Sequence, residues 1–300
     1  MTNALSRLVL GACIMVSMSA PMLAAPEEPL RLKPASKWIS EYQPDGCRLM
    51  REFGEGDTRA IFVMNRFAPH DDFQLTLAGK PFRRNSKSKV TLQFGANEGE
   101  QQIDFLEGNF ASMPALLMSG TMQIRPMTEQ EAKAHKKSDA SIYVPQAPLG
   151  AEREKAVTFV KLGKPFRKPI VLELGEMDKP FAALSICVDD LVQSWGLDPA
   201  VQKSLTRRPA PANYPGSWVT TSDYPENMLA EGQRAIVNFR LTVDATGAVT
   251  ACFIQQTTRP KEFDAAVCKS ISRRAKFDPA LDKDGAPVPS YYTNTVTFVL

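Results

Sequence analysis

The placement of the cysteines is the feature that most constrains this chain. Its 300 residues contain five cysteines, and four of them, Cys47, Cys187, Cys252 and Cys268, follow a stretch with the pattern of an export signal. An even number of cysteines in an exported protein indicates disulfides, and four cysteines allow three pairings. The sequence leaves the choice open. Position along the chain favours the pairs Cys47 with Cys187 and Cys252 with Cys268, because each pair then lies within one predicted domain.

The first 25 residues predict a cleavable signal peptide. One basic residue, Arg7, precedes an apolar run that Pro21 interrupts, and small residues end the stretch at Ala24 and Ala25. Cleavage after Ala25 would release the protein outside the cytoplasm. An uncleaved membrane anchor is the alternative, but the run is short, contains Ser and Pro, and has no basic flank after it. The fifth cysteine, Cys13, lies inside this predicted leader.

The rest of the chain divides into two predicted domains and a linker. Residues 26–197 contain short β-type runs, such as AIFVMNRF (60–67) and PALLMSGTMQIRP (114–126), separated by polar or Gly/Pro breaks. They predict a mostly-β N-terminal domain of unknown role. Residues 198–222 are rich in Pro, Ser, Thr and Asn without sustained periodicity, which indicates a linker. With residues 223–300 as a mixed second domain, the expected fold class is α+β.

The N-terminal domain is expected to end in a helix at PFAALSICVDDLVQSWG. Five side chains of this stretch fall close to one helical face: Ala183, Ile186, Cys187, Leu191 and Trp195. The pattern predicts that this face is buried against the β-rich part of the domain.

The second domain is predicted to open with a short helix around YPENMLAEG, followed by a strand and a hairpin. Residues 235–243, AIVNFRLTV, alternate strictly, with one apolar set on one face and Ile236, Asn238 and Arg240 on the other. This pattern predicts a strand with one face in a core. Gly247 follows in the turn, where it can take the positive φ that closes a tight hairpin.

A helix and a last strand complete the second domain. Phe263, Val267 and Ile271 recur at four-residue spacing and predict the buried stripe of a helix. If Cys252 and Cys268 pair, their bond joins the second strand to this helix. The final run, YYTNTVTFVL, is dense in aromatic and β-branched residues and predicts a strand.

Several features of residues 224–290 occur together in one known family. They are Tyr224 with Pro225, Gly232, Val243 with Asp244, Gly247, Phe263 to Ala266 as FDAA, Arg274, Phe277, Pro279 and Ala280. On these residues the stretch resembles the C-terminal domain of the energy transducer TonB family, and the cysteine pair resembles a disulfide-bearing branch of it. The resemblance covers roughly the last quarter of the chain and does not extend to the first domain.

The resemblance implies a periplasmic domain that takes part in energy-dependent transmembrane transport. A free strand edge of such a domain receives a short extended peptide, for example the N-terminal box of a TonB-dependent outer-membrane receptor. Strand addition obtains affinity from main-chain hydrogen bonds and specificity from alternate side chains. The expected partner-binding edge consists of Tyr291, Tyr292, Thr293, Asn294, Thr295, Val296, Thr297 and Phe298. The same domain is also a candidate for homodimer formation.

Two departures from the family pattern leave a second hypothesis open. The leader is predicted to be cleaved, whereas the best-known members keep an N-terminal anchor. A β-rich domain also stands where those members carry a long Pro-rich spacer. A soluble periplasmic envelope adaptor that takes no part in energy transduction is therefore the alternative function.

Motifs and charge give no support to an enzyme. Lys plus Arg number 36 against 33 Asp plus Glu, a balance that does not indicate nucleic acid binding. Gly-rich phosphate loops, nucleophile elbows and HExxH motifs are absent. Neither His70 nor His135 has a second ligand at metal spacing, and His70 with Asp71 and Asp72 is interpreted as a polar turn. We therefore expect no catalytic, cofactor-binding or metal site, with an uncharacterised hydrolase in the N-terminal domain as a minor alternative.

Overall fold

A computed structural model describes residues 27–70, 72–83, 88–129, 149–258 and 260–300. The predicted signal peptide lies outside these residues, as do Asp71 and His135. Within the described part of the chain, no helix has the length and apolar character needed to cross a membrane.

The N-terminal region, residues 27–197, is built on a ten-stranded sheet. In chain order the strands are β1 (Leu30–Leu32), β2 (Ile39–Gln43), β3 (Gly46–Phe53), β4 (Ala60–Arg66), β5 (Gln74–Gly79), β6 (Lys89–Phe94), β7 (Gln101–Phe110), β8 (Met113–Met118), β9 (Val160–Leu162) and β10 (Ile170–Leu172). Their order in the sheet is β1-β10-β9-β6-β7-β8-β5-β4-β3-β2. β1 and β10 pair in parallel, and the other neighbours are antiparallel.

The sheet curls until its two ends meet. The N–H of Ala35 donates to the carbonyl of Glu52 over 2.8 Å, and the N–H of Gly54 donates to the carbonyl of Lys33 over 2.9 Å. These bonds join the segment after β1 to the end of β3. The curled sheet therefore encloses one apolar core. The bonds between its two ends also satisfy backbone groups that an open sheet would expose at its edges.

The described residues of this region contain two α-helices, α1 (Ala151–Ala156) and α2 (Asp178–Ser194). Helix α2 buries Phe181, Leu184 and Val188 in the core that the sheet encloses. A disulfide joins Cys187 of α2 to Cys47 of β3, with 6.0 Å between the Cα atoms. The bond ties the helix to the strand against which it packs.

The predicted buried face of α2 was wrong at one position. Ile186 is 61% exposed, because the buried side chains follow the spacing of Phe181, Leu184, Val188 and Leu191. At about 100° per residue, this stripe places Ile186 on the opposite side of the helix.

The C-terminal part of the chain adds a second, smaller sheet, so that the fold class is α+β as predicted. Residues 198–222, the linking segment, contain α3 (Pro199–Lys203) and β11 (Ala210–Pro211). The elements that follow are α4 (Glu226–Ala230), β12 (Ala235–Val243), β13 (Val249–Thr257), α5 (Lys261–Arg274), β14 (Phe277–Asp278), β15 (Ala280–Leu281), β16 (Pro287–Val288) and β17 (Ser290–Phe298). β13, β12 and β17 form an antiparallel sheet in that order.

Helix α5 packs on one face of this sheet. Phe263, Val267 and Ile271 are 0%, 0% and 1% exposed, which confirms the predicted stripe. A disulfide joins Cys252 on β13 to Cys268 on α5. Closing a loop of this length in the unfolded chain stabilises a fold by about 3 kcal/mol in the loop-entropy model. Sheet and helix are thus held together by both an apolar layer and a covalent bond.

A charged cluster joins Asp223, at the start of the C-terminal region, to helix α5. Asp223 accepts hydrogen bonds from both terminal nitrogens of Arg274 (2.5 and 3.0 Å) and from the hydroxyl of Ser270 (2.8 Å). The N–H of Thr220 donates to the same carboxylate over 2.8 Å. Bonding to Arg274 outweighs burial and holds the pKa of Asp223 well below its ordinary value of 3.8.

Replacing Asp223 should therefore destabilise the protein in a pH-dependent way. We expect Asp223→Asn to lower the free energy of unfolding by about 2 kcal/mol at pH 7, because hydrogen bonds to a charged group are lost. Since the folded pKa is depressed, the contribution of Asp223 is present above the unfolded value of 3.8 and is lost as the pH falls below it.

Urea unfolding at pH 7 and pH 3 measures this difference. The deficit of Asp223→Asn should shrink at pH 3. The matched control is Asp284→Asn. The carboxylate of Asp284 is 71% exposed, so its removal should change the free energy of unfolding little at either pH. An equal deficit at both pH values would contradict the assigned role of Asp223.

Gly247 closes the β12–β13 hairpin with a φ of 87°, as the sequence predicts. A Cβ atom at this position would lie 2.1 Å from the carbonyl oxygen of Phe277, in β14. Gly285, in the turn between β15 and β16, has a similar φ of 79°, but a Cβ atom there would meet nothing within 4 Å. Of these two glycines, Gly247 alone combines a positive φ with a close approach of another strand.

The two glycines provide a matched pair for mutation. We expect Gly285→Ala to lower the free energy of unfolding by about 1 kcal/mol, the cost of positive φ alone. Gly247→Ala should cost about 3 kcal/mol or more, because the contact with Phe277 adds overpacking. Urea unfolding followed by circular dichroism gives both values. Equal losses would contradict a destabilising contact between a side chain at position 247 and Phe277.

Candidate functional site

β17 lies at one edge of the C-terminal sheet and contains every residue of the predicted binding edge. It pairs with β12 in unbroken register over nine residues, from Ser290 opposite Val243 to Phe298 opposite Ala235. The other edge strand, β13, has two register shifts against β12. Bulges of this kind disfavour further strand pairing. β17 is therefore the edge better suited to receive another strand.

The backbone of β17 has groups that point away from β12. The N–H of Thr295 is bound by the side-chain oxygen of its neighbour Asn294 over 2.8 Å, not by β12. Because outward and inward groups alternate along an antiparallel strand, the N–H groups of Tyr291, Thr293 and Thr297 also face outward. Asn294 thus occupies one position that the carbonyl of an added strand would take.

The side chains of β17 alternate between two buried layers. Tyr292 and Phe298 belong to the core beneath α5 and are 8% and 5% exposed. On the opposite face, the Thr295 hydroxyl donates to Asn238 over 2.7 Å and the Thr297 hydroxyl donates to the carbonyl of Ser119 over 2.5 Å. This second face is therefore in contact with the N-terminal region.

The same contact corrects the prediction that β12 has only one face in a core. Ile236, Asn238 and Arg240 are 0%, 2% and 4% exposed, although their alternation placed them on the polar side. The side-chain amide of Asn238 donates to Gln74 of β5 over 3.0 Å. The N-terminal region covers this face of the sheet, and the buried amide of Asn238 has hydrogen-bond partners in Gln74 and Thr295.

Arg240 is the charged residue at the centre of this contact. Its guanidinium carbon lies 4.3 Å from the ring centroid of Trp195, in the N-terminal region, and 4.2 Å from that of Phe253 on β13. Burial lowers the pKa of Arg240 to about 10, although Asp45 favours the charged form. Cation–π contacts at desolvated positions are worth about 2 kcal/mol each. The stacked arginine therefore holds the two regions together.

A cavity of about 420 Å³ opens beside β17. Residues 291–295 form one side of it, and residues 206–211 of the linking segment form another. The N-terminal region supplies Phe67, His70 and Thr121. The volume lies within the roughly 300–1,000 Å³ typical of ligand pockets. The outward edge of β17 thus faces a walled space.

A close contact between a histidine and an aspartate lies in the wall of this cavity. His70 Nδ1 lies 2.6 Å from Asp72 Oδ1, and both side chains are largely buried. Burial opposes the ionisation of Asp72, but the charge and hydrogen bond of His70 outweigh it and keep the pKa of Asp72 below its ordinary value. The sequence had assigned these residues to a polar turn, and its pattern did not place them near β17. Among the described residues, no three His, Cys, Asp or Glu side chains could share a metal ion.

Comparison with protein families bears on the last part of the chain. The family model described as Gram-negative bacterial TonB protein C-terminal matches residues 220–300. These residues form a TonB C-terminal domain. No curated protein and no solved structure matches the chain.

The family match indicates a function for this part of the chain. The match supports a TonB-family role in energy transduction for transport. Proteins of the TonB family are associated with the cell envelope, and their C-terminal domains interact with outer-membrane receptors. The match leaves the N-terminal region unassigned.

Removing the stacked arginine should weaken the contact between the N-terminal region and the TonB C-terminal domain. We expect Arg240→Ala to lower the free energy of unfolding by about 3 kcal/mol, from lost cation–π contacts and lost packing. Amide exchange around Trp195 should become faster.

The control for this variant is Arg273→Ala. Arg273 is exposed on the last turn of α5, and its removal should change stability by no more than about 0.5 kcal/mol. Similar losses in the two variants, or unchanged exchange around Trp195, would contradict the role of Arg240.

Proposed function

We propose that the protein binds an extended peptide of a TonB-dependent outer-membrane receptor by strand addition to β17. The observation that carries the proposal is the edge of β17, where residues 291–295 line an open cavity and the backbone groups of Tyr291, Thr293 and Thr295 face away from β12. An added strand would pair with these groups and present alternate side chains to the two sides of the sheet. We further propose that the protein acts by binding, without catalysis, within energy-dependent transmembrane transport.

The periplasm is the proposed location. Two disulfides, Cys47–Cys187 and Cys252–Cys268, support an oxidising compartment. The sequence of residues 1–25 supports export, and the TonB C-terminal domain supports the cell envelope.

An envelope adaptor that takes no part in energy transduction is the second candidate. It is favoured by one observation, the burial of the second sheet face by a large N-terminal region. In this alternative, the N-terminal region has a protein or cell-wall ligand of its own. Deletion of a receptor-binding edge would then leave that interaction intact.

Proline at position 293 tests strand addition directly. The N–H of Thr293 faces outward, so Thr293→Pro should keep the pairing with β12 but remove one donor from the edge and obstruct an incoming strand. We expect Thr293→Pro to weaken peptide binding about tenfold, as expected for a lost hydrogen bond with added steric conflict. Thr293→Val retains the N–H group and should bind as the parent does.

Fluorescence anisotropy supplies the affinities. The probes are labelled synthetic peptides with the N-terminal sequences of the host's TonB-dependent receptors, added to the full chain with both disulfides formed. Amide exchange in residues 290–298 should slow when a peptide binds. Equal affinities for Thr293→Pro and Thr293→Val, or exchange that slows elsewhere only, would disprove addition at β17.

A further inference from the structure

The edge of β17 is enclosed by parts of the chain that lie outside residues 220–300. Phe67, His70 and Thr121 come from loops and strand ends of the N-terminal region, and residues 206–211 come from the linking segment. All of them line the cavity that residues 291–295 also line. A peptide that pairs with β17 at these residues must therefore enter the same cavity.

The enclosed stretch of β17 is long enough to hold a short peptide strand. Five residues extend over about 16 Å at the usual rise of a β-strand. Along an added strand, alternate side chains would point toward the face of the sheet that Asn238, Thr293 and Thr295 occupy. On that side the N-terminal region contributes His70 and Thr121, which these side chains would meet. Phe67 lies toward the other edge of the sheet, because its carbonyl accepts a hydrogen bond from Gln255 of β13 over 2.9 Å.

The charged groups around the cavity favour an acidic partner. Among the described residues, the lining contains Arg207, Arg208, His70 and Asp72 as its charged or titratable side chains. Asp72 is already paired with His70 at 2.6 Å. Arg207 is exposed, and its guanidinium donates only to a main-chain carbonyl, that of Pro279, over 2.9 and 3.2 Å. Arg208 is already hydrogen-bonded to the side chain of Tyr291. Arg207 therefore adds the positive charge that no carboxylate of the described lining is placed against.

We propose that the N-terminal region and the linking segment form the second wall of the peptide site and select an extended peptide that carries an acidic side chain. This inference rests on strand addition at β17. It gives the N-terminal region a direct part in recognition, because Thr121 limits the size of the inward-pointing side chains. Arg207 attracts the carboxylate. The TonB C-terminal domain alone would have an incomplete site.

Filling the cavity from the N-terminal side tests the second wall. Thr121 is exposed at the cavity, so Thr121→Trp adds a large side chain there without entering a core. We expect it to weaken binding of the receptor peptides at least tenfold. Gln102→Trp is the control, since Gln102 is exposed on β7 and does not line the cavity. It should bind as the parent does.

Charge selection is tested with the parent protein and altered peptides. Each acidic residue of a binding peptide is replaced in turn by Gln. One replacement should weaken binding about two- to fivefold, as expected for a partly exposed ion pair, and the difference should fall at high salt. The affinities of the Arg207→Gln variant for the same two peptides should differ less than those of the parent protein.

The outcomes separate this inference from the function on which it rests. Binding that Thr121→Trp weakens, with slowed exchange at both residues 66–70 and residues 290–298, supports the second wall. Binding that Thr293→Pro abolishes but Thr121→Trp leaves unchanged overturns the second wall and keeps strand addition. Affinities equal for acidic and Gln peptides overturn charge selection. Absence of binding for the whole receptor peptide set overturns strand addition and the second wall together.

Discussion

Arg240 lies between the rings of Trp195 and Phe253, and this stacked contact fixes how the two parts of the molecule meet. A buried guanidinium is costly unless charge, hydrogen bonds or aromatic faces replace its water. Here the aromatic faces come from both regions, so the arginine is stabilised only when they are in contact. The hydrogen bond from Asn238 to Gln74 adds a directional link nearby. Together they turn a sheet face that would otherwise be polar and exposed into an internal layer.

The position of the β17 edge follows from this layer. Once β12 is covered on both faces, β17 is held beside the N-terminal region, and the cavity forms where the two surfaces diverge. The linking segment closes another side because β11 pairs with β14 and Thr206 is bonded to Leu281. The edge is therefore supported by three parts of the chain. A domain of three strands and a few helices gains from such support, since small sheets are marginal by themselves.

The disulfides act within the regions and not between them. Cys47–Cys187 attaches α2 to β3 inside the N-terminal region, and Cys252–Cys268 attaches α5 to β13 inside the TonB C-terminal domain. Neither bond crosses the contact around Arg240. The relation between the regions is thus non-covalent, and it depends on the stacked arginine, the buried amide pair and the packing of Tyr291 against Trp195, whose ring centroids are 5.0 Å apart.

The sequence by itself determined the elements whose patterns are local. Strict alternation in residues 235–243, the stripe of Phe263, Val267 and Ile271, and the turn at Gly247 each depend on neighbours a few positions away, so the strand, helix and hairpin could be predicted. The resemblance to the TonB C-terminal domain rested on the same local features. Tertiary structure alone decided that Asn238 and Arg240 are buried, and that His70, Thr121 and Arg207 surround β17. Those contacts join residues far apart in sequence. The local periodicity of a strand does not indicate which distant surface will pack against its polar face.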